Sequence, residues 1–465
     1  MTVADATPDY EVGTNEDRAF LGHPKGLGYL GFTEGCERFS YYSMQTLLVL
    51  YMVNYLLVPS RMEHVWGLAW MQAHVYHGIA GQPLASAIFG TYTSLVYLTP
   101  IFGGIIADKW LGRNRTLILG GVLMAIGHFL MAIQPAFLLA LLALLLGVGA
   151  FKGNIATQVG ALYGPNDLRR AMAFQIFYIF INVSVIAAPL ISGTLGQNVG
   201  WHYGFGCAGV VMVLGLIIYL YGRRYLAPEE LASTKEGAAP REPMNRDDWI
   251  CVLYLVILIP VLAICLLTNQ EIFNAYLVWG DQQFDLRLLN NTSSWLITVD
   301  AAVSFTMLVA VAAFWKWWGT HHREPDEIGK MIIGSVFVVA GGLCLFMAAL
   351  TQPPGGKISL FWPMMFELFN SIGFGHVAPI SLALFSKISP KQITSTVIGL
   401  YYLSFFIANA VVGYVGGLYS SLPTTTFWLI HVASAAFGLI AFAIFKVVIG
   451  KRMASTPQDQ AAALS

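Results

Sequence analysis

The chain is a succession of long apolar runs separated by short polar breaks, and this pattern limits what it can fold into. Of its 465 residues, 57% are hydrophobic and only 11% are charged, whereas soluble domains carry about 25% charged residues. A helix crosses a bilayer with about 20 consecutive apolar residues. We therefore predict an all-α membrane protein with twelve transmembrane helices in the lipid bilayer, with candidate spans at 28–57, 84–108, 115–134, 136–160, 170–193, 203–222, 248–279, 292–316, 327–350, 359–387, 393–419 and 425–449.

Cations are distributed unequally between the two sets of loops that these spans define. Cytoplasmic loops carry an excess of Lys and Arg. The connections from odd- to even-numbered spans hold only Arg61, Arg287 and Lys357. The connections from even- to odd-numbered spans hold Lys109, Arg113, Arg115, Arg169, Arg170, Arg223, Arg224, Lys235, Arg241, Arg246, Lys316, Arg323, Lys387 and Lys391. The bias predicts a multi-pass protein of the inner (plasma) membrane with both termini cytoplasmic.

A polar segment divides the spans into two sets of six. Residues 223–247 are rich in Ala, Pro, Glu and Arg, a composition typical of a linker. We predict an N-terminal six-helix bundle at 1–222, a cytoplasmic linker at 223–247 and a C-terminal six-helix bundle at 248–465. This division resembles the major facilitator fold, in which two halves rock around a site near the bilayer midplane.

Three ionisable residues lie inside the first span. Glu34, Glu37, Arg38 and Tyr41 fall on one face of a helix, and Tyr42 and Gln45 extend that face on the side of Arg38. Each charge near the centre of a span costs about 2.5–3.5 kcal/mol on insertion scales. We expect these charges to neutralise one another and to face a watery cavity. The alternative is an exposed helix end with ordinary ion pairs, against which the long apolar flank argues.

Several classes of protein are disfavoured by what the sequence lacks. The formal net charge is +0, which argues against nucleic acid as a partner. No nucleotide-binding loop, nucleophile–base pair or metal cluster is present, so we predict neither an enzyme nor a metal site. The pair His74 and His77 has a metal-ligand spacing but stands alone in the first loop.

Five motifs recur in the same order as in one transporter family. They are Glu34-x-x-Glu37-Arg38-Phe39-x-Tyr41-Tyr42, Tyr97-Leu-Thr-Pro100, Gly103-Gly104-x-x-Ala107-Asp108, Gly147-x-Gly149-x-x-Lys152-x-Asn154 and Phe177-Tyr178-x-x-Ile181-Asn182. With them, the chain resembles the proton-dependent oligopeptide transporter family of the major facilitator superfamily. The resemblance covers the N-terminal half well and the C-terminal half more loosely.

The resemblance implies a monomeric symporter that imports small peptides, of two or three residues, by alternating access, with protons as the coupling ion and no cofactor. Glu34, Glu37, Arg38 and Lys152 would then couple protons. Arg38 and Lys152 would also hold the peptide carboxylate, Asn182 would bond its backbone, and Tyr41, Tyr42 and Tyr97 would line the site. Two alternatives stay open, in which Lys152 is a snorkelling anchor and Asn182 is a hydrogen-bonding contact between helices.

Some positions depart from the family pattern. Gln45 stands where family members have arginine, Phe374 where they have the glutamate that meets the peptide amine, and Tyr401 where they often have tryptophan. The family's Glu-Gln pair in span seven matches Gln270 and Glu271 in an ambiguous register, so both are candidate substrate contacts. Asp300 stands where family members have asparagine. An acid inside a span is a candidate functional residue, and we predict that Asp300 replaces the missing glutamate, with Glu271 and then Glu367 as the next choices.

The missing glutamate leaves two other functions open. One is the transport of another small amphiphilic anion or of an amino-acid conjugate. The other is a non-transporting membrane sensor that has kept the fold.

Overall fold

The computed structural model of the protein describes residues 17–164, 167–227, 244–390 and 392–453. Ten of its helical segments are long and apolar enough to cross a membrane. The helices Lys25–Tyr51 and Arg113–Leu130 occupy the two remaining predicted spans. In chain order, the spanning helices are α1 (Lys25–Tyr51), α2 (Gly81–Ile106), α3 (Arg113–Leu130), α4 (Phe137–Ala161), α5 (Arg169–Ala188), α6 (Trp201–Gly222), α7 (Arg246–Cys265), α8 (Trp295–His321), α9 (Glu327–Leu350), α10 (Phe361–Ile388), α11 (Thr394–Gly417) and α12 (Thr424–Met453).

Each predicted span overlaps one of these helices, and the all-α fold is confirmed. α6 ends at Gly222 and α7 starts at Arg246, and residues 228–243 of the predicted linker lie outside the described part of the chain. The division into two bundles therefore stays a prediction.

The predicted seventh span is wrong as a continuous helix. α7 ends at Cys265, and the chain continues through two short turns, Leu267–Gln270 and Glu271–Phe273, before the helix Ala275–Gln283. The break is stabilised by Glu271, whose carboxylate accepts the Ala275 backbone N–H at 3.1 Å. A side-chain acceptor at the start of a helix satisfies an amide that has no partner within the helix.

Glycines let the helices of the N-terminal half approach closely. A Cβ atom added at Gly103 would lie 2.0 Å from the Gly149 carbonyl oxygen, so α2 and α4 touch backbone to backbone. A Cβ atom added at Gly120 would lie 2.7 Å from the Gly147 carbonyl oxygen, which places α3 equally close to α4. Small residues are what membrane helices use for such contacts.

The two halves are hydrogen-bonded to each other at the end of the bundle that the loop charges predict to be external. Asn54 donates to Asp281 at 3.0 Å, Gln197 to Ser293 at 2.7 Å, and Ser86 to Asn274 at 2.9 Å. Near the opposite end, the ion pairs Arg113–Asp108, Lys387–Glu327 and Lys446–Asp326 each lie within one half. The cross-half bonds thus close the predicted external end.

Replacing Gly90 by Ala should force that closed end apart. The added methyl group would lie 2.3 Å from the Gly413 Cα atom and 2.8 Å from the Asn409 carbonyl oxygen, so α2 and α11 would have to separate. Overpacking of this kind costs about 1–3 kcal/mol. Distances between spin labels on the external ends of α2 and α11 should therefore lengthen. The matched control is Gly399→Ala on α11, where an added Cβ atom meets no atom within 4 Å. Unchanged distances in the Gly90 variant would contradict this close packing.

Candidate functional site

The three charges of α1 form one buried cluster. The Arg38 Nε atom lies 3.2 Å from the Glu34 carboxylate, and its guanidinium donates two hydrogen bonds to Glu37, of which the one from Nη2 is 2.7 Å long. The exposed fraction of the side chain is 6% for Arg38 and Glu34 and 0% for Glu37, which excludes an exposed helix end. A bidentate guanidinium–carboxylate contact is among the strongest hydrogen-bonded pairs, and here it offsets part of the desolvation of both charges.

Lys152 approaches this cluster from α4 without a direct ion pair to it. Its Nζ atom lies 5.1 Å from the centre of the Tyr97 ring, a cation–π distance. It is also within electrostatic range of Glu34, Glu37 and Arg38. In this conformation the partner of Glu34 and Glu37 is Arg38, and the Lys152 ammonium lies against an aromatic face of α2 instead.

Aromatic side chains from both halves meet beside the cluster. Tyr42 packs on Tyr41 and on Phe273, with ring centres 5.2 and 6.3 Å apart. Tyr97 stacks on Phe405 of α11 at 5.2 Å. Tyr42 and Tyr97 belong to the N-terminal half and their partners Phe273 and Phe405 to the C-terminal half, so flat aromatic walls lie between the halves next to the charges.

Phe374 and Tyr401, the two aromatic residues that depart from the family pattern, extend the aromatic surface around Tyr97 and Phe405. Both belong to the apolar cluster that also holds Tyr97 and Phe405. The Tyr401 hydroxyl donates to the Ala378 carbonyl at 2.8 Å, and its ring lies 5.8 Å from that of Phe405. Phe374 therefore supplies apolar surface where a charge is expected from the family pattern.

Asp300 lies on α8 within electrostatic range of Tyr42. The Ser304 hydroxyl, one turn further along the helix, donates to it at 3.5 Å. Glu367 on α10 is its immediate acidic neighbour. The second half thus brings a carboxylate close to Tyr42, at the aromatic junction where Tyr42 and Tyr97 of one half meet Phe273 and Phe405 of the other.

Glu271 does not join this group in this conformation, and its role as a substrate contact stays a prediction. The side chain is fully buried, and its Oε1 atom accepts from Asn274 Nδ2 at 3.0 Å as well as from Ala275. Its Oε2 atom lies 3.6 Å from His431 Nε2 on α12. The carboxylate is therefore engaged in the break after α7. Gln270 points elsewhere and accepts from Asn409 on α11 at 3.1 Å.

Asn182 and Gln45 lie on helices of the site without contacting the charges. Asn182 donates to the Tyr178 carbonyl of its own helix at 2.8 Å, so this bond is not a contact between helices. The Gln45 Oε1 atom is buried and has no hydrogen-bond partner among the described residues.

The sequence reasoning missed a contact directly behind the α1 cluster. Ser40 on α1 is hydrogen-bonded to His128 on α3, and His128 is fully buried. A histidine inside an apolar span was the available signal, but it does not reveal which helix lies opposite. Phe273 and Phe405, which pair with the tyrosines, were also missed because isolated phenylalanines are common in apolar spans.

Comparison with known proteins places this geometry in a family. Residues 39–413 match the sequence profile of the Major Facilitator Superfamily. The chain is 27% identical to the peptide transporter YePEPT of Yersinia enterocolitica over 86% of its own length and 89% of that protein. It is 26% identical to a di-/tripeptide transporter of Lactococcus lactis, over 93% and 97% of the two chains.

A solved structure gives the same result. The crystal structure of the peptide transporter POT in complex with sulfate superposes with a TM-score of 0.80 at 25% identity, covering 94% of this chain and 96% of that one. Together with the five ordered motifs, these likenesses show that the chain belongs to the Major Facilitator Superfamily and, within it, to the proton-dependent oligopeptide transporter family.

Proposed function

We propose that this protein is a proton-coupled symporter that imports di- and tripeptides by alternating access. It would work as a monomer in the inner (plasma) membrane with both termini cytoplasmic, use protons as the coupling ion and need no cofactor. The observation that carries the proposal is the buried cluster of Glu34, Glu37 and Arg38, which adjoins the aromatic junction between the two halves.

The cluster is suited to couple protons because its ion pairing depends on protonation. Arg38 is shared between Glu34 and Glu37. A proton that binds Glu37 would weaken its hold on the guanidinium and free Arg38 for an anionic substrate group. A change of this kind biases the equilibrium between two conformations when the substrate prefers one of them.

The substrate's two ends would be held by opposite halves. Arg38 and Lys152 supply positive charge for the peptide carboxylate, and Asp300 supplies negative charge for the ammonium. Asn182 could bond the peptide backbone, because the Oδ1 atom of its amide remains available as an acceptor when Nδ2 bonds Tyr178. The tyrosine faces between the halves would accept side chains of varied shape.

The described conformation corresponds to one state of such a cycle. Hydrogen bonds close the predicted external end, among them Asn54–Asp281 and Ser86–Asn274. We interpret it as the state that opens toward the cytoplasm. Uptake would require these bonds to break and an equivalent closure to form at the other end.

The direct test is accumulation of a labelled dipeptide in proteoliposomes that contain the purified protein. An inward proton gradient should drive uptake above the external concentration, and a protonophore should abolish it. Absence of gradient-driven accumulation, with the protein correctly inserted, would refute proton-coupled symport. A competition panel of peptides, amino-acid conjugates and other amphiphilic anions tests the alternative that Phe374 suggests, since the family's amine-binding acid is missing there.

Dipeptides with an amidated C-terminus should compete poorly with the free acids. A charged hydrogen bond left unmade in a desolvated site costs about 2 kcal/mol, or roughly thirtyfold in affinity. The measurement is inhibition of labelled dipeptide uptake by matched acid and amide pairs. Equal inhibition by both forms would remove Arg38 and Lys152 from the role of holding the carboxylate.

A further inference from the structure

Two carboxylic acids of the C-terminal half lie side by side, apart from the charge cluster of α1. The side chains of Asp300 on α8 and Glu367 on α10 lie within interaction range of each other. One helical turn further along each helix, the hydroxyl groups of Ser304 and Ser371 are 2.9 Å apart. Because α8 and α10 are both even-numbered spans and run in the same direction, this serine contact holds the two acids at the same level.

No cation compensates this pair. The side chain of Glu367 is 0% exposed, and neither of its carboxylate oxygens has a hydrogen-bond partner of good geometry. The titratable groups that face the pair are the Tyr276 hydroxyl beside Glu367 and, at longer range, Tyr42 on α1. Within the described ranges, no Lys, Arg or His is among the interaction partners of either acid.

Two ionised carboxylates cannot be buried next to each other at acceptable free energy without a cation. A single proton between them removes this conflict, because the protonated acid donates a hydrogen bond to the ionised one. We expect the proton on Glu367, because its oxygens have no hydrogen-bond partner of good geometry, whereas the Asp300 carboxylate accepts a hydrogen bond from Ser304.

We propose that Asp300 and Glu367 form a proton-binding site of the C-terminal half, and that Glu367 carries the proton when a substrate ammonium docks on Asp300. Glu367 is then a positioning residue. Its protonated, neutral carboxyl group donates a hydrogen bond that orients the Asp300 carboxylate. The pair presents one negative charge, which matches one ammonium group. This inference rests on the proposed peptide transport for its substrate, but the proton itself can be observed without any substrate.

The test is infrared difference spectroscopy of the full-length protein in membranes, with binding assays on the same samples. The wild type should show a protonated-carboxyl band near neutral pH that Glu367→Gln removes. Adding a free dipeptide should shift this band, because the ammonium competes for the Asp300 carboxylate that accepts the hydrogen bond. An N-acetylated dipeptide should leave the band where it is.

The affinities of two variants should distinguish the effect of the hydrogen-bond donor of Glu367 from the effect of its charge. Glu367→Gln keeps a neutral donor, so affinity for the free dipeptide should stay within about threefold of the wild type. Glu367→Leu removes the donor and should weaken the free dipeptide about tenfold or more, with little change for the N-acetylated one. This split between ligands is not expected from a general disturbance of the fold.

Several outcomes would overturn the inference. One is a spectrum in which Glu367→Gln removes no band, which would mean that Glu367 holds no proton. Another is a band that does not respond to the free dipeptide, and a third is an equal loss of affinity for both ligands in Glu367→Leu. If the wild type accumulates no dipeptide but shows the band, the proposed function fails while the proton site stands.

Discussion

Replacing Glu37 by Gln should abolish proton-driven accumulation of dipeptide while leaving exchange of labelled for unlabelled dipeptide largely intact. Gln keeps the shape of the side chain and can still accept hydrogen bonds from Arg38, and Arg38 retains Glu34 at 3.2 Å. The variant should therefore fold and bind substrate. What it loses is the group whose protonation would release Arg38, so the two conformations no longer respond to the proton gradient.

Two assays in proteoliposomes separate these effects. Uptake under an imposed inward proton gradient should fall to the level seen without a gradient, whereas counterflow at equal pH should continue. The matched control is Glu63→Gln, which neutralises an exposed acid in the loop after α1. Normal accumulation by the Glu37 variant would show that the proton is carried elsewhere, and loss of counterflow as well would indicate a binding defect.

Much of the fold and the first half of the site follow from the sequence. The spacing of Glu34, Glu37 and Arg38 puts their side chains on one helical face, and their mutual ion pairs need no information about other helices. The membrane spans can be predicted from the sequence as well, because a bilayer imposes a length and a polarity on every crossing helix. Tyr42 and Tyr97 lie between the halves, and their role in lining a substrate site stays a prediction.

The second half of the site depends on packing that no local pattern encodes. Glu271 and Gln270 are adjacent in the chain, yet one turns toward His431 and the other toward Asn409. The break after α7 sets these directions, and the hydrogen bond from the Ala275 amide to the buried Glu271 carboxylate stabilises it. Residues 268–271 are polar, but no proline or glycine marks a break at that point of the sequence.

The partner of Asp300 could not be predicted for the same reason. Glu367 lies 67 residues away in the chain, on a helix whose rotation is set by contacts such as Ser304–Ser371. Seven residues separate Glu367 from Phe374, which puts both on one face of α10 but does not show which side chain Glu367 meets. Its place nearer the external end makes Glu367 the last of the three candidates from the sequence, although in the fold it is the neighbour of the first.

Replacing Asp300 by Asn should weaken binding of free dipeptides strongly and hardly change binding of N-acetylated ones. Removing one partner of a charge pair in a desolvated site costs at least about 2 kcal/mol, which is roughly thirtyfold in Kd. N-acetylation removes the ammonium charge, so the acetylated ligand has no interaction to lose. The measurement is the Kd of both ligand types for wild type and variant, with Glu63→Gln in the exposed loop after α1 as the control for neutralising an acid.

The two ligands also decide which acid takes over if the prediction fails. A parallel loss for both ligands would mean that Asp300 supports the fold of the site rather than the amine, and no loss for either would move the amine to another acid. Glu271 is then a poor choice, because its carboxylate is engaged by Asn274 and Ala275 and faces His431. Glu367 would be the acid to replace next, since only an ionised Glu367 could attract the ammonium once Asp300 is neutral. Retained affinity for free dipeptides in the Asp300 variant, lost again on adding Glu367→Gln, would show that the amine binds to whichever of the two acids carries the charge.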